Sequence, residues 1–459
     1  MSKTTAPKGF EEVFEVPAKV LEETIDFVEK EEKVVISKKP FKRAEEYWET
    51  LGPGLTTGAA DDDPSGIATY SQAGAGYGLQ LIWIALFTYP FMATVQEMCA
   101  RIGIVSGQGL AANIRKHYTP RVLYVVTALL FLANALNIAA DLGAMSAATR
   151  LLLPNVGFGL LVVFFAAVSL GLQIFTTYAR YAKYLKYLTL ALLSYVAVAF
   201  AVGLDWGDVF YHTIVPSMSF SRDQIFLLCG ILGTTISPYL FFWQTSQEVE
   251  ERILKGEMTA KERRSQVTAQ DLKAMRTDVW SGMGFSNLIT FFIFAACAGT
   301  LYAHGVTNIA TADQAAAALK PFGELAFLLF ALGIVGTGLL AVPVLAGSTA
   351  YALSESFGWK NGLYHKLNQA YAFYGVIIVS MLIGISANFI HLDPIKALIY
   401  AAVANGVIAP IILFFVVRIS GNTHVMGEYA NSKIVARLGW ITIGFMAVSG
   451  IAALATMFL

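Results

Sequence analysis

Residues 60–70 read ADDDPSGIATY, inside an apolar stretch long enough to cross a bilayer. Asp61, Asp62 and Asp63 run directly into Pro64, with Gly66 two residues further on. An ionised aspartate at the centre of a membrane helix costs about 2.5–3.5 kcal/mol even on a lenient insertion scale, so three of them do not face lipid. They must face water, a cation, or both. The plain alternative puts all three at a helix end near the interface, but apolar turns flank the stretch on both sides. The reading that follows is a membrane helix broken at a cation site.

Composition agrees. Of 459 residues, 56% are hydrophobic and 14% charged, and the mean hydropathy is +0.59. Soluble domains carry about 25% charged residues, which excludes a single water-facing globule. A spanning helix needs about 20 mainly apolar residues. On that rule eleven spans are expected, at 51–76, 79–104, 121–150, 157–175, 184–204, 224–246, 279–303, 323–353, 370–390, 394–418 and 435–458. Residues 1–48 hold nine Lys/Arg and eleven Asp/Glu without an apolar run, and read as a solvated cytoplasmic tail. Residues 49–459 then form one transmembrane domain. Cys99, Cys229 and Cys297 all lie in apolar runs, as packed thiols do.

Basic residues orient the chain. With the N-terminus cytoplasmic, inner loops carry eighteen Lys/Arg and outer loops only Arg150, Arg222, Lys320 and Lys396. That asymmetry satisfies the positive-inside rule. A second interrupted segment, GILGTTISPYLFFWQTSQ at 230–247, has Pro238 at its middle. It falls in the sixth span, five after the first, so the two halves enter the membrane from opposite sides. Paired broken helices in inverted halves point to a secondary transporter with its site at the bilayer midplane. The repeats are expected at about 50–204 and 224–418, with an extra span at 435–458. Unwound backbone is tolerated there only where it lines a cavity or is buried, and its free carbonyls can bind a cation.

GPGLTTGAADDDPSGIATYSQAGAGYG (52–78) resembles the first span of the NRAMP divalent-metal transporters, and GTTISPYLFFWQ (233–244) is similar to their sixth. The resemblance covers the chain from about residue 50 onward. It implies an all-α, polytopic, LeuT-like inverted repeat of five plus five helices with an eleventh span. It also implies import of a divalent metal held between the broken helices. Carried over, Asp63 is the metal-binding aspartate, and Ala60 and Thr234 are backbone-carbonyl ligands. Ser237 stands where the family has a methionine. Ser65 and Gly66 replace a glycine and an asparagine, while Tyr239 and Gln244 occupy two histidine positions. In ANALNIAADLGA (133–144), Asn137 and Ala140 stand where an Asp and a Glu line the proton route, with Asp141 one residue away. Ile408 replaces a glutamine, with Asn405 one turn off.

Loss of the thioether leaves oxygen ligands, which suit Mg²⁺ and Mn²⁺. The chain thus resembles the NRAMP-related magnesium transporters that lack this methionine. The metal set is Asp63, Ala60, Thr234 and Ser237, flanked by Asp62, Ser65, Gly66, Tyr239 and Asn405, with Pro64 and Pro238 as helix breaks. The expected protein is an importer in the cell membrane that moves no protons. Its partners are a divalent cation and lipid, not nucleic acid, and a monomer is compatible with the sequence. It needs no cofactor and is no enzyme. The alternatives are a proton-coupled importer of Mn²⁺ or Fe²⁺, a carrier of another hard ion such as Al³⁺, and an amino-acid symporter. Asp63 beside the break would repel a substrate carboxylate in the last of these. Asp61 and Asp62 are open between drawing cations inward and a plainer role in which one caps freed amides and the other faces water. Glu97 is expected to pair with Arg101 at i, i+4.

Overall fold

A computed structural model describes residues 13–15, 17–19, 52–176, 190–323, 325–390 and 393–458. The first expected span is two half-helices, α1 (Pro53–Asp61) and α2 (Pro64–Tyr77). The second is α3 (Trp83–Ser106), followed by a short α4 (Leu110–His117). The third and fourth are α5 (Pro120–Leu152) and α6 (Phe158–Phe175). Of the fifth, α7 (Leu193–Ala201) is described, while residues 177–189, with the start of that span, lie outside the described residues. After a short α8 (Trp206–Ile214) the sixth span is again split, into α9 (Arg222–Thr235) and α10 (Pro238–Leu254). A short α11 (Ala260–Ser265) precedes the long α12 (Ala269–Thr300), the seventh span. The last four spans are α13 (Leu325–Phe357), α14 (Tyr371–Ala387), α15 (Pro394–Ser420) and α16 (Lys433–Phe458).

Each expected span therefore finds a helix, and the bounds shift for local reasons. The seventh begins ten residues earlier than its apolar run, because Thr268 and Asp271 form a capping box at its solvated end. The sixth extends to Leu254, where its polar last turns bury Glu248, Glu250 and Arg252. This segment is ion-paired as well as partly buried: Arg252 pairs with Glu257 at 2.5 Å and Lys255 with Glu251 at 2.8 Å.

Both broken spans are held by glycine contacts. A Cβ on Gly58 would stand 2.4 Å from the Gly282 carbonyl oxygen, so α1 lies directly on the backbone of α12. In the second half, a Cβ on Gly233 would come within 2.0 Å of the Ala402 oxygen, which seats α9 against α15. Small residues permit such approach between membrane helices. Gly338 of α13 serves likewise beside Met145.

The expectation for residues 1–48 falls mostly outside the described residues, but a fragment corrects it. Phe14 and Ala18 are buried rather than solvated, and the Phe14 ring packs 5.8 Å from that of Trp359. Lys19 lies 5.3 Å from the centroid of the Tyr371 ring at the start of α14. An apolar Phe in an otherwise charged segment buries about as much surface as a core residue, and here it has found a core.

Candidate metal site

The chain breaks at Asp62–Asp63 because Pro64 cannot continue a helix but starts one well. Its missing amide is no loss at the first helical position. Asp63 is the N-cap of α2, where its Oδ1 accepts from the Gly66 amide at 2.8 Å and from the Ser65 hydroxyl at 2.6 Å. Its Oδ2 accepts from Asn137 Nδ2 of α5 at 3.0 Å. Ser237 is the matching N-cap of α10, yet its hydroxyl makes no capping bond. It turns back instead and donates to the carbonyls of Gly233 at 2.9 Å and Thr234 at 2.7 Å.

Two tyrosines join the breaks. Tyr239, one residue past Pro238, donates its hydroxyl to the Ala60 carbonyl at 3.0 Å. Tyr70 of α2 meets the hydroxyls of Thr234 and Thr235 at 3.0 and 3.1 Å. The Ala60 and Thr234 carbonyls assigned as ligands are thus both acceptors of side-chain hydroxyls, and Asp63 is bonded at both oxygens. All of these groups are buried. Asn405 is buried on α15 beside the Gly233–Gly406 contact, with no hydrogen-bond partner on either amide atom among the described residues.

Asp61 and Asp62 do not divide into one cap and one water-facing group. Neither caps the break, which Asp63 does itself, and neither faces water, being 1% and 3% exposed. Both instead accept from one hydroxyl, Ser286 of α12, at 2.8 and 3.0 Å. The earlier requirement that the three carboxylates meet water or a cation is met here in part by protein donors. Sequence reading also missed Asn137 as a partner of Asp63, since 74 residues separate them and only packing of α2 on α5 joins them. Tyr70, Thr235 and Ser286 carried no spacing signal either.

Glu97 is the hub of a separate ion cluster. It pairs with Arg101 at 3.5 Å as its spacing suggested, and also with Arg276 at 2.6 Å and the Trp280 ring nitrogen at 2.8 Å. Gln244 donates to Glu248 at 2.8 Å, away from Asp63.

The donors that converge at the two breaks are a carboxylate, two carbonyls and hydroxyls, which is the chemistry of a hard cation site. Comparison with known proteins supports a metal carrier. The Nramp family profile, described as natural resistance-associated macrophage protein-like, matches residues 54–456. A divalent metal cation transporter MntH from Klebsiella pneumoniae (strain 342) is 26% identical over 409 residues, covering 86% of this chain and 91% of that one. The manganese transporter of Eremococcus coleocola superposes with a TM-score of 0.70 at 17% identity, over 91% of this chain and 88% of its own. Mhp1, a nucleobase-cation-symport-1 family transporter, superposes at 0.54 with 15% identity, over 88% and 91% of the two chains. The all-helical fold is the inverted-repeat transporter fold these proteins share. This chain belongs to the Nramp family of multi-pass membrane transporters of divalent metal cations.

Proposed function

We propose that this protein imports Mg²⁺ and Mn²⁺ across the cell membrane by alternating access, driven by the ion gradient and membrane potential and not by protons. The observation that carries the reading is the donor set: Asp63, the Ala60 and Thr234 carbonyls and the Ser237 hydroxyl supply oxygen only. Sulfur would favour softer late transition metals, whereas an all-oxygen site with room for water suits Mg²⁺ and Mn²⁺. The name of the Eremococcus coleocola manganese transporter supports Mn²⁺ among the cargo. The absence of proton coupling is argued from Asn137, Ala140, Tyr239 and Gln244, none of which titrates near neutral pH; Asp141 is the one titratable group left on that route, turned about 100° from the family's position. Eighteen inner against four outer basic residues support a cytoplasmic N-terminus. Membrane potential contributes about 2.3 kcal/mol per charge per 100 mV, or about twice that for a dication.

The test is uptake into proteoliposomes that enclose a pH dye. Mg²⁺ and Mn²⁺ are expected to accumulate without acidification, faster than Cd²⁺ or Ca²⁺. Acidification that tracks metal influx overturns the uncoupled mechanism, and preferred uptake of Cd²⁺ overturns the hard-ligand argument.

A further inference from the structure

Among the described residues, buried carboxylates accept from at least one protein donor, though Asp61 keeps one oxygen unpaired, and Asp141 stands apart with none. Glu250 accepts from the Tyr351 hydroxyl and the Leu363 amide, and Glu355 from the Ala112 amide. Asp278 accepts from the amides of Gly52, Gly54 and Leu55. Glu97 has its two arginines and Trp280. Asp141 is fully buried on α5, and neither of its oxygens has a hydrogen-bond partner among the described residues. No basic side chain among them pairs with it. One turn earlier on the same helix, Asn137 gives its amide hydrogen to Asp63 and leaves its own Oδ1 without a donor.

Residues at i and i+4 share a helix face, about 6 Å apart along the axis. Three acceptor oxygens without donors therefore line one face of α5, continuing from the carboxylate of Asp63. Asn137 ties this face to Asp63 at 3.0 Å, and Asp141 lies one turn further along it. A buried group of this kind is costly unless something satisfies it. Hydroxyl or amide donors among the described residues do not, which leaves a proton, a water or a cation as the partner.

We propose that Asp141, with the Asn137 Oδ1, forms a second cation station beside Asp63, which holds a partly hydrated divalent cation on its way through the protein. The proposal rests on the reading of the chain as a divalent-metal importer. The ligands are again oxygen only, and too few to complete a shell, so waters fill the remainder, as Mg²⁺ and Mn²⁺ tolerate. Two dications this close repel strongly, so one ion is passed between stations rather than two bound together. With the N-terminus inside, α5 runs outward and Asp141 lies on the external side of Asp63.

Mn²⁺ binding followed by electron paramagnetic resonance on the purified full-length protein, with Mn²⁺ uptake in proteoliposomes, tests this. Asp63→Ala is expected to retain weak Mn²⁺ binding that the Asp63→Ala/Asp141→Asn double variant loses. Asp141→Asn alone is expected to raise the KM for uptake about tenfold, with kcat changed less than about twofold. Asp141→Glu is expected to recover most of the affinity, which a merely structural role would not allow in a packed helix. Binding by Asp63→Ala that is nil, or that is indifferent to Asp141, overturns the station, as does an unchanged KM in Asp141→Asn. A wild-type protein that neither binds nor moves Mn²⁺ or Mg²⁺ removes the importer reading itself, which is a separate result.

Discussion

Under the proposed function Asp63 does two things at once: it caps the broken helix and neutralises a cation. Its Oδ1 is engaged by Ser65 and Gly66 and its Oδ2 by Asn137, so the carboxylate is held in one orientation before any ion arrives. Asp63→Ala should therefore lower divalent uptake by roughly a hundredfold, the scale of a lost contact worth about 3 kcal/mol. Surface delivery measured in parallel should stay near normal; substantial transport by a well-inserted variant would remove Asp63 from the site. Ser237 offers the selectivity test. A methionine there replaces an oxygen with a soft sulfur, and the Ser237→Met protein should shift relative uptake rates toward Cd²⁺ over Mg²⁺. Adding Gly66→Asn supplies an amide oxygen, though a Cβ at Gly66 meets the Tyr70 ring at 3.2 Å, so the ring must give slightly. Unaltered Mg²⁺ preference in the double variant would defeat the ligand-softness argument. At this scale the sequence was readable where a residue's neighbours are close in the chain. Asp63, Pro64, Ser237 and Pro238 announce themselves in two short stretches. Asn137 and Ser286 do not, because their partnerships exist only across packed helices, 74 and 224 or more residues away.

The half-helix α1 is lashed to α12 along its whole length. The Asp278 carboxylate takes its first amides, Gly54 and Gly58 lie against the α12 backbone, and Ser286 holds the two aspartates at its last turn. Helix amides left free at an N-terminus cost about 1 kcal/mol when a capping side chain is removed, so Asp278→Ala should destabilise the protein by at least that much. Gly58→Val should cost more, about 1–3 kcal/mol, because its side chain has backbone rather than a flexible neighbour to push against. Thermal unfolding in detergent would rank the two; a Gly58→Val protein as stable as wild type would mean that α1 does not need this contact. The helix breaks were legible from proline among apolar residues. What each half-helix leans on was not, since glycine spacing marks a close approach without naming the partner.

For the whole chain, counting apolar runs was sufficient to give the spans and their order, because the bilayer makes hydrophobic length a direct structural constraint. It was not sufficient at the edges. The early start of α12 and the burial of Phe14 both come from residues that contribute little to average hydropathy. The hydroxyls of Tyr239 and Ser237, which bond the Ala60 and Thr234 carbonyls, also bear on how fast a full cycle runs. If those carbonyls hold the cargo as proposed, its binding is a ligand exchange, in which each oxygen gives up a hydroxyl and gains a metal. After release the hydroxyls return, so a carrier resetting toward the outside moves no bare carbonyl through a low-dielectric interior. Reset then gains nothing from being loaded, and trans-acceleration should be absent. Initial uptake of radioactive Mn²⁺ is expected to be equal into vesicles with and without unlabelled Mn²⁺ inside; a severalfold stimulation by internal Mn²⁺ would mean that the carbonyls cross only with an ion attached.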